Sequence, residues 1–150
     1  MLANSDFREL LSLFKKHKVR YLVVGGYAVM KYSEPRFTKD LDVWIATDPE
    51  NAKSVYAALK EFGAPLLNLT ANDFTQKDYF YQMGRSPLRV DIMMSIPGVE
   101  FEAAWRNREI VKLDNTDIPF ISRRDLILAK NAGGRPQDKI DLEKLKESVP

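Results

Sequence analysis

The stretch that decides the fold is KDLDVWI, which runs from Lys39 to Ile45. Acidic and apolar residues alternate through most of it, and this period of two predicts a β-strand with one polar and one apolar face. Asp40 and Asp42 lie two positions apart, so their side chains leave the same face, with about 6–7 Å between their Cα atoms. The apolar residues around them point to the other face and predict contact with a hydrophobic core.

Two carboxylates this close repel each other unless a cation lies between them. Mg²⁺ suits the arrangement, because it is a hard ion that binds one or two carboxylates together with phosphates and water. A third acid, Asp91, interrupts another apolar strand, where an unpaired carboxylate is costly to bury. If the two strands are neighbours, Asp40, Asp42 and Asp91 converge and can bind two metal ions. The alternative is that the Asp-x-Asp pair only marks a turn or a strand end.

Gly25 and Gly26 follow a buried strand and open a short helix. Glycine at such a point lets the backbone approach a phosphate, and a helix N-terminus offers free amide donors. The alternative is a simple strand-to-helix turn. The pair belongs neither to a Gly-x-Gly-x-x-Gly fingerprint nor to a P-loop, so these two modes of phosphate binding are excluded.

Further helices and strands are predicted along the whole chain. We expect helices at residues 6–18 (with Ser5 as N-cap), 27–32, 49–62, 100–107, 123–131 and 136–147, the last two forming a C-terminal helical pair. We expect strands at residues 20–24, 41–46, 79–83, 88–94, 109–113 and 118–121, with a strand fragment and a helical turn within residues 64–78. The order predicts an α/β (α+β) fold, with a short mixed β-sheet flanked by helices. The 150 residues fit one domain.

The composition excludes several classes of protein. The chain has no cysteine, which removes disulfides, thiolate metal sites and cysteine nucleophiles. Its one histidine, His17, cannot build a His-rich zinc site, and we expect it at the solvated end of the first helix. The net charge of +2 does not support a uniformly basic surface for nucleic acid. No apolar segment is long enough to cross a membrane and no signal peptide is recognisable, so we expect a cytoplasmic protein without a membrane partner.

Taken together, these motifs resemble the signature of the nucleotidyltransferase superfamily related to DNA polymerase beta. That signature is a hydrophobic residue with Gly-Gly or Gly-Ser, then Asp-hydrophobic-Asp/Glu-hydrophobic, and a third acid in a later strand. Here Val24-Gly25-Gly26 is followed after thirteen residues by Asp40-Leu41-Asp42-Val43, and later by Val90-Asp91-Ile92.

Finer features resemble one branch of this superfamily. The segment RFTKDLD, from Arg36 to Asp42, and the tail from Ser122 to Asp141 are similar to small bacterial and archaeal relatives. These include proteins grouped with the AbiEii toxin of abortive-infection systems and some aminoglycoside nucleotidyltransferases. The resemblance covers the chain from about Val19 to Leu145, and it raises a toxin–antitoxin role as one possibility.

The resemblance implies a nucleotidyltransferase fold and transfer of a nucleoside monophosphate from a nucleoside triphosphate to a hydroxyl. Asp40 and Asp42 would bind the Mg²⁺ ions, two in number, and Asp91 would bind the catalytic ion and help to activate the acceptor hydroxyl. The candidate nucleotide-binding residues are Gly25, Gly26, Arg36, Thr38, Lys130 and Arg135.

Some of these candidates have an equally simple structural interpretation. Lys130 and Arg135 either reach the triphosphate from the last helices or form a solvated helix face. Arg36 either orients phosphates or a carboxylate, or is a surface arginine. For Asp138 and Asp141 we expect ion pairs with basic neighbours rather than metal binding. The aromatic stretch at residues 79–81 either stacks a base or packs in the core, and we favour the core.

The acceptor is left open between transfer RNA, a protein and a small molecule, and a homodimer or partner protein is one way to complete its site. A catalytically inactive domain that binds a nucleotide or a partner is the main alternative function. A structural module is another, in which the acids pair with Arg36, Lys39 and Arg89. Nucleic-acid binding by a basic groove is the last, and its affinity would fall steeply with salt if many phosphates were contacted.

Overall fold

The computed structural model describes residues 4–35, 40–85 and 89–147. The helices are α1 (Ser5–Lys16), α2 (Gly25–Tyr32), α3 (Pro49–Phe62), α4 (Phe101–Arg106), α5 (Arg123–Gly133) and α6 (Pro136–Glu147), with a 3₁₀ helix at Ala71–Thr75. The strands are β1 (Tyr21–Val24), β2 (Leu41–Ile45), β3 (Phe80–Met83), β4 (Val90–Met93), β5 (Glu109–Leu113) and β6 (Thr116–Phe120).

The six strands form one mixed sheet in the order β3-β4-β2-β1-β6-β5. The central strands β1 and β2 are antiparallel, while β2 runs parallel to β4 and β1 runs parallel to β6. The two outer pairs, β3 with β4 and β5 with β6, are antiparallel. The predicted mixed sheet flanked by helices, including the C-terminal pair α5 and α6, is therefore confirmed.

The sheet is covered by helices whose apolar stripes are legible in the sequence. In α1 the stripe of Phe7, Leu10, Leu11 and Phe14 is almost completely buried. Burial of such side chains contributes about 1.5–3 kcal/mol each to folding. Helix α1 packs on α3, and α2 packs against α5 and α6. This second group of helices matters for the site, because it lies next to the ends of β1 and β2.

Two local expectations from the sequence are wrong. The N-cap of α1 is Asn4 and not Ser5, because Asn4 Oδ1 accepts hydrogen bonds from the amides of Asp6 and Phe7 at 2.8 and 3.2 Å. Ser5 is the first residue of the helix. Between residues 64 and 78, all of which are described, the structure has the expected helical turn as the 3₁₀ helix, but it has no strand.

The aromatic stretch at residues 79–81 is only partly in the core. Tyr81 is 9% exposed, and its hydroxyl donates to the carbonyl of Pro65 at 2.7 Å. Tyr79 and Phe80 are 60% and 65% exposed, so the prediction of core packing is wrong for these two. Phe80 lies on the face of β3 that is left uncovered, since exposed and buried residues alternate along this strand, and Tyr79 lies one residue before it.

Asn51, a buried residue of α3, bonds to main-chain groups at the ends of β1 and β2. Asn51 Nδ2 donates to the carbonyls of Arg20 and Ala46 at 3.0 and 2.7 Å, and its Oδ1 accepts from the amide of Arg20 at 2.7 Å. The side chain thus satisfies three main-chain groups beside the two central strands. His17, at the end of α1, has its Nε2 atom 3.0 Å from Glu61 Oε1.

No helix in the described part of the chain is both long and apolar enough to cross a lipid bilayer.

Candidate functional site

The pairing of β2 with β4 brings the predicted acids together. Asp42 lies directly opposite Asp91 in the parallel register, and neighbouring side chains in such a pair leave the same face of the sheet. Asp40 lies one residue before β2, and not within the strand as the alternating pattern predicts. All three carboxylates nevertheless line one cleft of about 560 Å³.

Gly25, at the start of α2, lies against the carboxylate of Asp42. A Cβ atom at Gly25 would lie 2.0 Å from Asp42 Oδ2, a distance that no real contact allows. Gly25 also has a φ of +68°, which costs other residues about 1–2 kcal/mol. Glycine is therefore required here for two reasons, and the close approach that the structure shows is to Asp42. Approach to a phosphate remains a prediction.

Asp42 is held in an environment that disfavours its charge. Burial, followed by the neighbouring carboxylates of Asp91 and Asp40, raises the pKa of Asp42 to about 7, although Arg89 acts in the opposite direction. Asp91 is itself 9% exposed and accepts a hydrogen bond from Gln82 Nε2 at 3.0 Å. An excess of negative charge in a partly buried site is the condition under which a bound cation is stabilising.

Arg89 supplies part of the missing positive charge. Its Nη2 lies 2.9 Å from Asp40 Oδ2 and 3.3 Å from Asp91 Oδ2, and its Nε lies 3.3 Å from Asp91 Oδ1. The pairing of the acids with Arg89 is what the structural-module alternative predicts. It does not satisfy the whole cluster, because Asp40 Oδ1 is buried and has no hydrogen-bond partner within the described part of the chain.

The donor set suits a hard divalent cation, but the side chains are not arranged as a finished coordination sphere. Within residues 4–35, 40–85 and 89–147, no three acidic or histidine side chains are placed to hold one metal ion. The carboxylates of Asp40, Asp42 and Asp91 offer the oxygen ligands that Mg²⁺ prefers, and Asp40 Oδ1 receives no hydrogen bond from any described residue. The residues therefore fit magnesium, once Arg89 no longer occupies the oxygens of Asp40 and Asp91.

Helices α5 and α6 form the opposite wall of the cleft. Lys130 Nζ lies 3.3 Å from Asp138 Oδ1 and 3.1 Å from Asp141 Oδ2, and both acids are buried. The expectation that Asp138 and Asp141 pair with basic neighbours agrees with these contacts. Arg135 pairs with Asp138 through its guanidinium at 2.9 and 3.1 Å. The hydrogen bonds from Arg135 hold the pKa of Asp138 below its usual range.

Lys130 and Arg135 differ in how free they are to bind a ligand. The Lys130 side chain is 11% exposed and is balanced by two carboxylates, so it does not form a solvated helix face. The Arg135 side chain is 76% exposed and lies at the mouth of the cleft. Gly26 also lines this cleft, next to Gly25. Arg36, Thr38 and Lys39 lie outside the described residues.

Two residues of the site were not among the predicted site residues. Arg89 was considered only as an ion-pair partner, although its position two residues before Asp91 places both side chains on one face of the strand. Gln82 was missed altogether. The feature that would have identified Gln82 is the register of β3 with β4, which pairs Gln82 with Asp91. That register depends on the turn between the strands, which the sequence pattern does not specify.

Comparison with known proteins agrees with this geometry. The sequence model of a family described as nucleotidyltransferases of unknown function (DUF6036) matches residues 4–147. Comparison with curated proteins gives no match.

Solved structures with the same fold include enzymes that modify antibiotics. The lincosamide antibiotic adenylyltransferase LnuA, bound to lincomycin, has a TM-score of 0.63 at 18% identity, with 98% of each chain covered. ANT(2″)-Ia in complex with adenylyl-2″-tobramycin has a TM-score of 0.57 at 13% identity, covering 95% of this chain and 84% of that one. An antigenic nucleotidyltransferase-like protein from Paracoccidioides brasiliensis has a TM-score of 0.53 at 14% identity, covering 94% and 72%.

Proposed function

The chain belongs to this family of nucleotidyltransferases, and we propose that it transfers a nucleoside monophosphate from a nucleoside triphosphate to a hydroxyl group with the help of Mg²⁺. One observation carries the proposal. The register of two parallel strands places Asp42 opposite Asp91, and the glycine turn before α2 lies directly against Asp42. The carboxylates and the glycine turn thus line one cleft.

Asp40, Asp42 and Asp91 are the residues that would hold magnesium, two ions by the superfamily resemblance. Bound there, the metal neutralises charge on the phosphates and lowers the pKa of a bound hydroxyl. Asp42 and Asp91 lie in two neighbouring strands, so the register of the sheet sets the spacing of these two carboxylates, and Asp40 lies one residue before β2. A site built on strands needs little reorganisation when the ligand arrives.

The triphosphate would lie along the N-terminus of α2. Within the described residues, no side chain caps this terminus, so its amides are free to donate to phosphate oxygens. Gly25 and Gly26 leave the space for that approach. Arg135 faces the cleft with an exposed guanidinium and is the first candidate for the β- and γ-phosphates. Lys130 contributes less directly, by holding α5 and α6 together through Asp138 and Asp141.

In the reaction, the oxygen of the acceptor hydroxyl forms a bond to the α-phosphorus while the bond from the α-phosphorus to the bridging oxygen breaks. Pyrophosphate leaves, and the hydroxyl proton is lost toward the carboxylate of Asp91. In-line placement of the two oxygens and neutralisation of charge supply most of the acceleration in such transfers. The carboxylate cluster and Arg135 line the cleft, where they would supply this neutralisation.

The acceptor class stays open between transfer RNA, a protein and a small molecule. The adenylyltransferases among the structural neighbours act on antibiotics by their names, which makes a small hydroxylated molecule the first class to test. A partner or second copy that completes the acceptor site, a toxin–antitoxin role, a single-domain organisation and a cytoplasmic location remain expectations from the sequence.

The test is transfer of label from α-³²P-labelled nucleoside triphosphates, with γ-³²P-labelled nucleotide as the comparison. Tobramycin, lincomycin, transfer RNA and the protein itself are offered as acceptors, with and without Mg²⁺. Transfer from the α-labelled nucleotide alone is expected, and it should be lost in Asp42→Asn. The matched control is Asp117→Asn, which makes the same change on an exposed strand position.

Two results would count against the proposal. Label transferred from the γ-position would indicate a kinase. Equal transfer by the wild type and Asp42→Asn would mean that the carboxylates have no part in the chemistry. Binding of a nucleotide without transfer to any acceptor would instead favour the catalytically inactive alternative.

A further inference from the structure

The proposed metal site already contains a positively charged group, the guanidinium of Arg89. Arg89 contacts Asp40 and Asp91, two of the three carboxylates assigned to magnesium, through atoms 2.9–3.3 Å apart. A guanidinium donates to carboxylate oxygens, and Mg²⁺ binds the same oxygens. The two cations therefore compete for one set of ligands.

We propose that Arg89 is a displaceable counter-ion, which holds Asp40 and Asp91 when no metal is present and releases them when a divalent cation binds. The proposal rests on the carboxylate metal site of the proposed function. It makes Arg89 a positioning residue, since its effect is exerted through the carboxylates.

The main chain of Arg89 is fixed by a hydrogen bond, whereas its side chain is partly exposed. Its carbonyl accepts a hydrogen bond from the amide of Leu41 at 3.0 Å, which fixes the main chain beside Asp40. The side chain is 36% exposed, and its Nε atom has no partner with hydrogen-bond geometry among the described residues. The side chains of its partners Asp40 and Asp91 are only 26% and 12% exposed, so loss of the guanidinium leaves two poorly solvated carboxylates that need another cation. A bound divalent cation meets that need and can replace the guanidinium. The guanidinium can then rotate toward solvent or toward a bound phosphate.

Two of the three carboxylates, those of Asp42 and Asp91, have supports other than Arg89. Gln82 holds Asp91 Oδ1 from the neighbouring strand, and the β2–β4 register keeps Asp42 opposite Asp91. Asp40 has one oxygen on Arg89 and a second that is buried and has no hydrogen-bond partner among the described residues. Loss of Arg89 would therefore leave Asp42 and Asp91 in place, and it would increase the need of Asp40 for a cation.

The test is Mn²⁺ binding followed by electron paramagnetic resonance, with and without ATP, in the wild type and in Arg89→Gln. Mn²⁺ is the probe because it prefers the same oxygen ligands. Removal of the competing guanidinium is expected to tighten Mn²⁺ binding about fivefold or more. In EDTA the variant should melt at a lower temperature than the wild type, and saturating Mn²⁺ should raise its melting temperature by more.

Two controls separate competition from general effects. Arg106→Gln removes the same charge from an exposed position at the end of α4, and it should leave Mn²⁺ affinity unchanged. Arg89→Lys keeps the charge but loses the planar fork, so its affinity should lie between those of the wild type and Arg89→Gln. It also keeps the test possible if Arg89→Gln fails to fold.

The results distinguish this proposal from the proposed function. If the wild type binds Mn²⁺ and neither Arg89 variant binds it more tightly, the counter-ion proposal is wrong and the metal site stands. If Arg89→Gln is destabilised equally with and without Mn²⁺, Arg89 is a permanent structural ion pair. If no form binds Mn²⁺, with or without ATP, the metal site itself is wrong and both proposals fail.

Discussion

Gly25→Ala is the substitution whose cost follows most directly from the structure. The residue has a φ of +68°, and a new Cβ would lie 2.0 Å from Asp42 Oδ2 and 2.8 Å from Asp42 Cβ. The backbone strain alone costs about 1–2 kcal/mol. Displacement of a strand residue by overpacking adds about 1–3 kcal/mol, so the free energy of unfolding should fall by about 2–5 kcal/mol.

A matched control separates the two contributions. Gly134 has a φ of +67°, and no atom of the described residues is found within 4 Å of the position that a Cβ would take there, so Gly134→Ala carries the backbone strain without the collision. Equilibrium urea unfolding of the wild type and both variants measures the difference, provided that the slopes agree. We expect Gly25→Ala to be clearly less stable than Gly134→Ala. Equal losses would refute the close packing of the glycine turn on Asp42, and with it the geometry of the site.

Three further predictions concern stability. Asp138→Asn should lower the free energy of unfolding by about 1–3 kcal/mol at pH 7. Because folding lowers the pKa of Asp138, this contribution is present above the unfolded-state pKa of about 3.9 and is lost as the pH falls through the folded-state pKa. The stabilities of the wild type and Asp138→Asn should therefore converge in acid unfolding curves. Asn51→Ala should cost about 2–4 kcal/mol in urea unfolding, because it leaves buried main-chain groups beside β1 and β2 unpaired; a loss below about 0.5 kcal/mol would contradict that role. Phe80→Ala should change stability by less than about 0.5 kcal/mol, whereas Tyr81→Ala should cost about 3–5 kcal/mol, and similar losses for both would mean that Phe80 is packed in solution.

Much of the fold was predictable because local patterns and tertiary packing agree. The alternation around Asp42 marks β2, and the apolar stripe of α1 marks its buried face. The sequence did not predict which strands pair. It predicted that Asp42 and Asp91 converge if their strands are neighbours, and the sheet order confirms that β2 and β4 are neighbours. The exposure of Phe80 was not predictable, since the sequence of β3 does not indicate which of its two faces is left uncovered.

The acidic residues of the site were predictable from the sequence, but the residues that contact and position them were less so. Asp40, Asp42, Asp91 and the glycine turn carry a recognisable spacing. Gln82 and Arg89 act through contacts across β3 and β4, and such contacts depend on a register set by the intervening turn.

The proposed chemistry depends above all on Asp42 and its neighbouring carboxylates binding a nucleotide through magnesium. Calorimetric titration tests this step, with the wild type, Asp42→Asn and Asp117→Asn each titrated with every nucleoside triphosphate, with and without Mg²⁺. We predict Mg²⁺-dependent binding by the wild type and Asp117→Asn that is lost in Asp42→Asn. Equal binding by all three proteins, or binding that does not depend on Mg²⁺, would contradict the proposal.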